Sequence, residues 1–468
     1  MTGPARVLSR LRAALGADAQ RAVWNGVFKS LSVPVEKACR IAVVVVAAPL
    51  LGDAGFGVYQ FATTLAALFA LGADLGLGLW TTRALAREPT RAAAILAMGW
   101  RVRGLSGVLY AVAIAAAAVL SGPGPPRQAL LLFGAAGLAS TFIDYLGAIF
   151  RGFERLRDEA RLAVARAVLT TGAALLALSQ VRSLAGFGAG TLVGTLAALI
   201  WGLGMLRRRY ASSFVRGVDA GAGLAPTSRA LARQAIAEAV PTWLATLLSL
   251  VYFKIDVVIL RAFVGDAELG AYSAAFNVFE TLTVLPSIVM AAAFSPLARA
   301  YSDRARQRRW ERALVALLLV LGGVVGALLF AASDRIVSAL FGAGFLRAGE
   351  SLRWLALGVP VMFLNAGLWH FLLARNLEVR NLVLAAALLV VNVGMNLLLI
   401  PRLRGPGAAL ATVLTEIAHA VLAVVALRWT APPPPPPPRS DQRSGAADAA
   451  AVSPPPASSR IEGGAGTD

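Results

Sequence analysis

The chain has 468 residues, of which 58% are hydrophobic and only 15% charged, and its formal charge is +19. Soluble domains carry about a quarter charged residues, so a string of soluble domains is excluded. The positive charge is not a nucleic-acid footprint, because Lys and Arg sit in short loops between apolar segments, where membrane orientation places them.

Apolar stretches of about 20 residues recur along the chain, each long enough to cross a ~30 Å hydrocarbon core as a helix. Runs such as Ala111 to Leu120 do not alternate, which argues against a transmembrane barrel. The basic start (Arg6, Arg10, Arg12, Arg21) lacks the short, clean apolar region of a cleavable signal and predicts a retained cytoplasmic segment over 1–23. Twelve spans are expected near 24–48, 56–80, 99–120, 128–150, 161–179, 184–206, 234–260, 269–298, 313–332, 353–374, 380–400 and 407–427. Segments 1 and 7 are polar for helices that face lipid. With the N-terminus inside, the loops on that side hold 31 Lys and Arg residues and the opposite loops hold 7. That asymmetry predicts twelve spans with both termini cytoplasmic. The expected organisation is all-α: an N-lobe over 24–206, a basic linker over 207–233, a C-lobe over 234–430 and a tail over 431–468. The tail opens with seven consecutive prolines, Pro432 to Pro438, and is expected to be a disordered spacer with local polyproline II. The single Cys39 forms no intrachain disulfide.

An internal repeat links the halves. Leu51 to Tyr59 reads LGDAGFGVY and Val264 to Tyr272 reads VGDAELGAY, sharing G-D-A-x-x-G-x-Y in the loops after spans 1 and 7. GFGA at Gly186 to Ala189 is echoed by GPGA at Gly405 to Ala408. Two unrelated motifs at near-equal offsets argue for duplication. Six spans per half make the repeat parallel, with a central cavity between rocking halves as the expected arrangement. Glycines at tight turns explain part of the same pattern.

Ionisable groups inside spans cost about 3 kcal/mol each on insertion scales, so each is a site candidate. In span 1, Asn25, Lys29, Ser32, Glu36 and Arg40 fall on one polar stripe, with Lys37 beside it. Glu36 and Arg40 are spaced as an i, i+4 pair, and Pro34 is expected to kink the helix. In span 7, Glu238, Thr242, Ser249 and Asp256 form a stripe, while Lys254 lies on another face. Asn277 and Glu280 in span 8 and Asp74 in span 2 are further candidates. Arg166 is read as snorkelling to the nearer interface. In span 12, Thr412, Glu416 and His419 fall at i, i+4 and i+7, a pattern open to proton coupling or to a hydrogen-bonded packing cluster. His370 is expected to be structural. Two separated histidines and one cysteine predict no metal site, and no phosphate-binding loop or nucleophile elbow supports an enzyme or a cofactor.

The stretch PLLGDAGFGVYQFATTLAALFALGADLGLGLWTTRALARE resembles the start of the polysaccharide (O-antigen) flippase family. YFKIDVVILRAFVGDAELGAYSAAFNVFETLTVLPSIVMAAAFSPLARAY is similar to the opening of that family's second lobe, and GPGAALATVLTEIAHAVLAVVAL to its last helix. The resemblance implies two six-helix lobes around a central cavity. The implied activity is translocation of undecaprenyl-pyrophosphate-linked oligosaccharide across the bacterial inner membrane. Lys29, Glu36, Lys37, Arg40, Asp74, Lys254, Asp256 and Glu280 are then expected at the substrate, and Glu416 and His419 in ion coupling. Lipid-linked oligosaccharide, membrane lipids and a polysaccharide polymerase or glycosyltransferases are the implied partners of a monomer. The superfamily also holds multidrug exporters and lipid II flippases, which stay open as alternatives. So do a membrane enzyme or a scaffold of the same pathway, although the longest internal loop, 207–233, is basic and carries no acidic cluster.

Overall fold

In the computed structural model, residues 17–219, 226–300, 303–375 and 378–428 are described, with side chains described from Ser32 onward apart from short stretches near the breaks. All regular elements among them are helical. The proline-rich tail lies outside the described residues.

Helix α1 (17–51) runs into α2 (53–74) through a break at Gly52, with φ 71° and ψ 174°. The chain turns at Leu75 and Gly76, both at positive φ, into the short α3 (Leu77–Arg87). Helices α4 (Ala92–Leu120), α5 (Pro125–Gly152), α6 (Leu156–Val181) and α7 (Leu184–Asp219) complete the first half. The second half begins with α8 (Pro226–Val264), followed by α9 (Asp266–Thr281) and α10 (Val284–Ala300), which together make one crossing. Helices α11 (Arg304–Phe341), α12 (Ala348–Ala374), α13 (378–403) and α14 (405–428) finish it, the last two being joined at a break at Arg404.

Nine helical stretches among the described residues are long and apolar enough to cross a membrane. Two of these, Ser32–Asp74 and Leu382–Arg428, are double helices divided at Gly52 and Arg404. Pro226–Val264 is not among the nine, yet its 39 residues span about 58 Å. The count of twelve read from sequence therefore stands, with three corrections. Span 2 stops at Asp74 and not at residue 80, span 8 is interrupted at 282–283, and helices such as α8 and α11 project well beyond their apolar centres. Hydropathy reports which residues a bilayer tolerates and says nothing of where backbone dihedrals leave the helical region. Pro34 lies within α1, and the backbone of the run 17–74 leaves helical φ/ψ at Gly52 and not at Pro34.

The repeated motif explains itself in this fold. Gly52 and Gly265 occupy the positive-φ breaks that precede α2 and α9, where only glycine is unstrained. Asp53 and Asp266 then open the helices, suited to the partial positive charge there. The second glycines, Gly57 and Gly270, face each other where α2 and α9 cross. A Cβ on Gly57 would lie 1.8 Å from the Asp266 carbonyl oxygen, and one on Gly270 would lie 1.8 Å from that of Asp53. The two copies meet as a self-complementary pair about a local two-fold axis.

Candidate functional site

The seam between the lobes has three levels. At the end poor in basic residues, the glycine crossing is reinforced by side chains from both lobes. Arg347, between α11 and α12, reaches Asp53 at 3.3 Å and Glu268 at 4.0 Å. Arg261 at the end of α8 pairs with Asp266 at 2.6 Å and stacks on the Phe61 ring at 3.9 Å. Phe56 meets Phe345 edge-on at 6.0 Å. The lobes are closed on each other at this end.

At the basic end, contact is made by α8 along α2 and α3. Trp80 Nε1 donates to Glu238 at 3.1 Å, Trp243 Nε1 donates to the Leu71 carbonyl at 2.7 Å, and Ala239 packs against Gly76.

Between these levels lies a charge cluster drawn from three helices. Glu280 of α9 binds Arg40 of α1 at 3.1 Å and Lys254 of α8 at 3.3 Å. Lys254 also stands 5.1 Å from the centroid of Phe276, a favourable cation–π distance. Two cations share one carboxylate, so the cluster is one positive charge in excess. Arg40 keeps 57% of its side chain exposed, and Lys37 on the same helix is exposed as well. A cleft of about 170 Å³ opens beside the cluster, walled by apolar residues of α1, α9 and α11, among them Val44, Val278 and Phe341. Arg40 itself lines the cleft. The arrangement offers a bidentate guanidinium and an ammonium to an anion next to a surface suited to a hydrocarbon chain.

Other site residues expected from sequence are drawn elsewhere. The i, i+4 pair expected between Glu36 and Arg40 does not form, because each has a partner on another helix. Glu36 meets Arg166 of α6 at 3.4 Å, and Arg166 also binds Asp144 of α5 at 2.6 Å. Arg166, expected to snorkel, thus ties α1, α5 and α6 together. Asp74 is paired at 2.6 Å with Arg103, whose side chain is 2% exposed and lies 5.5 Å from the Tyr145 ring. The side chain of Lys29 lies outside the described residues. Ser32 is buried against the N-lobe. The span 7 stripe diverges, with Glu238, Thr242 and Ser249 exposed and Asp256 buried.

The C-lobe interior holds two carboxylates for which no cation pairs among the described residues. Asp256, 3% exposed, accepts from the Tyr272 hydroxyl at 2.5 Å and from the Val257 amide at 2.9 Å. Tyr272 Oη also lies 3.4 Å from Thr412 Oγ1. Glu416, 4% exposed, accepts from the Tyr252 hydroxyl at 3.1 Å and from Asn365 Nδ2 at 2.6 Å. His419 is half-buried on the next turn of α14. Tyr252, Tyr272 and Asn365 escaped a reading centred on formal charge, and Asp144, which does carry a charge in span 4, was not singled out. Their signal is a polar side chain in an apolar span, which is weak for tyrosine because its ring is itself apolar. His370 Nδ1 donates to the Ala366 carbonyl at 2.7 Å, one turn back on the same helix.

The family model for polysaccharide biosynthesis proteins matches residues 24–299, more than half of the chain, and the MatE model matches residues 241–398. No curated protein sequence matches the chain. Solved structures with a similar fold include a multidrug resistance MATE family transporter of the MOP superfamily, inward-facing. It has TM-score 0.69 and 16% identity over 84% of this chain and 93% of that one. The lipid II flippase MurJ, inward closed, has TM-score 0.62 and 13% identity over 86% of this chain and 87% of the other. An outward-facing MATE family transporter has TM-score 0.60 and 14% identity over 87% of this chain and 94% of the other. The chain has the polytopic fold shared by these transporters, and it belongs to the polysaccharide biosynthesis protein family.

Proposed function

We propose that this chain is a flippase that carries undecaprenyl-pyrophosphate-linked oligosaccharide across the bacterial inner membrane by alternating access, with both termini cytoplasmic. The observation that carries the reading is the Arg40–Glu280–Lys254 cluster at the lobe seam, with its excess positive charge and its apolar cleft. A pyrophosphate takes the place of Glu280 on Arg40 and Lys254, with Lys37 adding charge nearby, while the prenyl chain leaves through the cleft between α1 and α9. The same exchange breaks the ion pair that ties α1 to α9, so cargo binding and lobe movement are coupled through one contact. The closed end, poor in basic residues, is then periplasmic, and the end where α8 meets α2 and α3 is cytoplasmic. The net positive seam suits an anionic cargo and disfavours export of cationic drugs.

Ion coupling is assigned to Glu416, with His419 beside it. A carboxylate buried in a span, with no cation paired to it among the described residues, is the group on which a coupling ion would be held. Neutralising Glu280 tests the cargo site: Glu280→Gln leaves Arg40 and Lys254 without their carboxylate. Undecaprenyl pyrophosphate then binds the purified chain more tightly while turnover falls. Unchanged affinity in Glu280→Gln contradicts the exchange.

A further inference from the structure

A second cavity, of about 780 Å³, opens on the flank of the N-lobe. Its walls come only from α1, α6 and α7, so it stands apart from the lobe seam and its cations. Val35 of α1, Val164, Val168 and Leu169 of α6 and Ala197 of α7 give it an apolar lining. Arg157 and Arg161 stand at one end, and Trp201 lines the same cavity. Both arginines are exposed, at the end of the molecule where basic residues gather. Arg161 lies 3.5 Å from Asp158 yet keeps 59% of its side chain exposed, and a guanidinium has five donors to offer. From Arg157 to Leu169, α6 rises about 18 Å, close to the roughly 15 Å depth of one leaflet of hydrocarbon. Val168 and Leu169 are themselves exposed, an apolar surface that lipid must cover.

Charge, depth and polarity order the cavity as a leaflet lipid is ordered, with its head group at the basic end and its chains toward the bilayer centre. Basic pockets between helices on the cytoplasmic side suit anionic head groups. A zwitterionic head group would bring an ammonium against two guanidinium groups. We propose that this groove binds one anionic glycerophospholipid, its phosphate held by Arg157 and Arg161 and its acyl chain laid against Val164, Val168 and Leu169. The bound lipid braces α6, which also carries Arg166, against α1 and α7.

Trp201 supplies the readout. The full chain is placed in nanodiscs containing either brominated phosphatidylglycerol or brominated phosphatidylcholine, and the Trp201 signal is isolated by difference against Trp201→Phe. The proposal expects brominated phosphatidylglycerol to quench Trp201 as though enriched about tenfold over its mole fraction, given two arginines near the surface. Arg157→Gln with Arg161→Gln removes that preference. Ala165→Phe, which fills the groove and keeps both arginines, lowers the quenching. Equal quenching by the two lipids overturns the proposal, as does a preference that survives either variant. Displacement of brominated phosphatidylglycerol by undecaprenyl phosphate at low mole fraction would also overturn it, assigning the groove to the prenyl chain of the cargo.

Discussion

Two residues with no side chain set the tightest constraint on the lobe seam. Gly57 and Gly270 each approach the opposite helix's carbonyl so closely that a Cβ would lie 1.8 Å from it. The obstacle is backbone, so no rotamer change relieves it. Gly57→Val therefore forces α2 and α9 apart and opens this end of the seam. A cysteine pair at Asp53 and Arg347, in a Cys39→Ser background, should be joined by a flexible bis-maleimide in the parent and several-fold less in Gly57→Val. Equal cross-linking would contradict the crossing. The repeat was visible in the sequence, but its purpose was not, because a glycine in a turn and a glycine in a helix crossing read alike. Glu416 makes a second test. Glu416→Ala strands the Tyr252 hydroxyl and leaves Asn365 Nδ2 only the backbone carbonyl of residue 416, and should lower stability by about 1–3 kcal/mol in thermal unfolding. Glu416→Gln keeps the volume and should abolish the dependence of transport on an ion gradient. The sequence offered Glu416 with His419 as a pair; the structure gives Glu416 partners from α8 and α12, which no helical spacing announces.

At the scale of the element, hydropathy located the apolar helices, and charge spacing on α1 singled out Glu36 and Arg40 but not their pairings. Glu36 and Arg40 are adjacent on one helix face, yet α6 and α9 compete for them and prevail. Helical periodicity specifies only which residues share a face, and the choice of partner belongs to packing between helices. The same limit applies to Asp74, whose partner Arg103 is contributed by α4. Arg103 is almost fully buried, so Asp74→Asn leaves its charge uncompensated and should destabilise the fold by about 3–5 kcal/mol. The check is yield and unfolding temperature in detergent, with a normal unfolding profile assigning Asp74 to some other task. The breaks at Gly52, Leu75–Gly76 and 282–283 were illegible for a related reason: a positive φ or a lost helical turn changes neither composition nor hydropathy.

For the whole molecule, the distribution of Lys and Arg predicts one orientation for both lobes. Reporter fusions after Arg127 and Arg261 should read periplasmic, and one after Arg304 cytoplasmic; the reverse at any site would break the orientation. The two copies of the nine-residue motif meet in the fold and make one of the contacts between the halves. The central claim is that the cationic cluster at that seam moves a lipid pyrophosphate from one leaflet to the other. It is tested most directly by flipping of fluorescent undecaprenyl-pyrophosphate-linked oligosaccharide in proteoliposomes carrying the parent chain, Arg40→Ala or Lys254→Ala at matched protein content. The account predicts transfer by the parent and at least about tenfold slower transfer in each variant, the effect of losing one charge-assisted contact worth roughly 1.5–3 kcal/mol. Transfer by both variants at the parent rate, or none by a correctly folded parent, would contradict it.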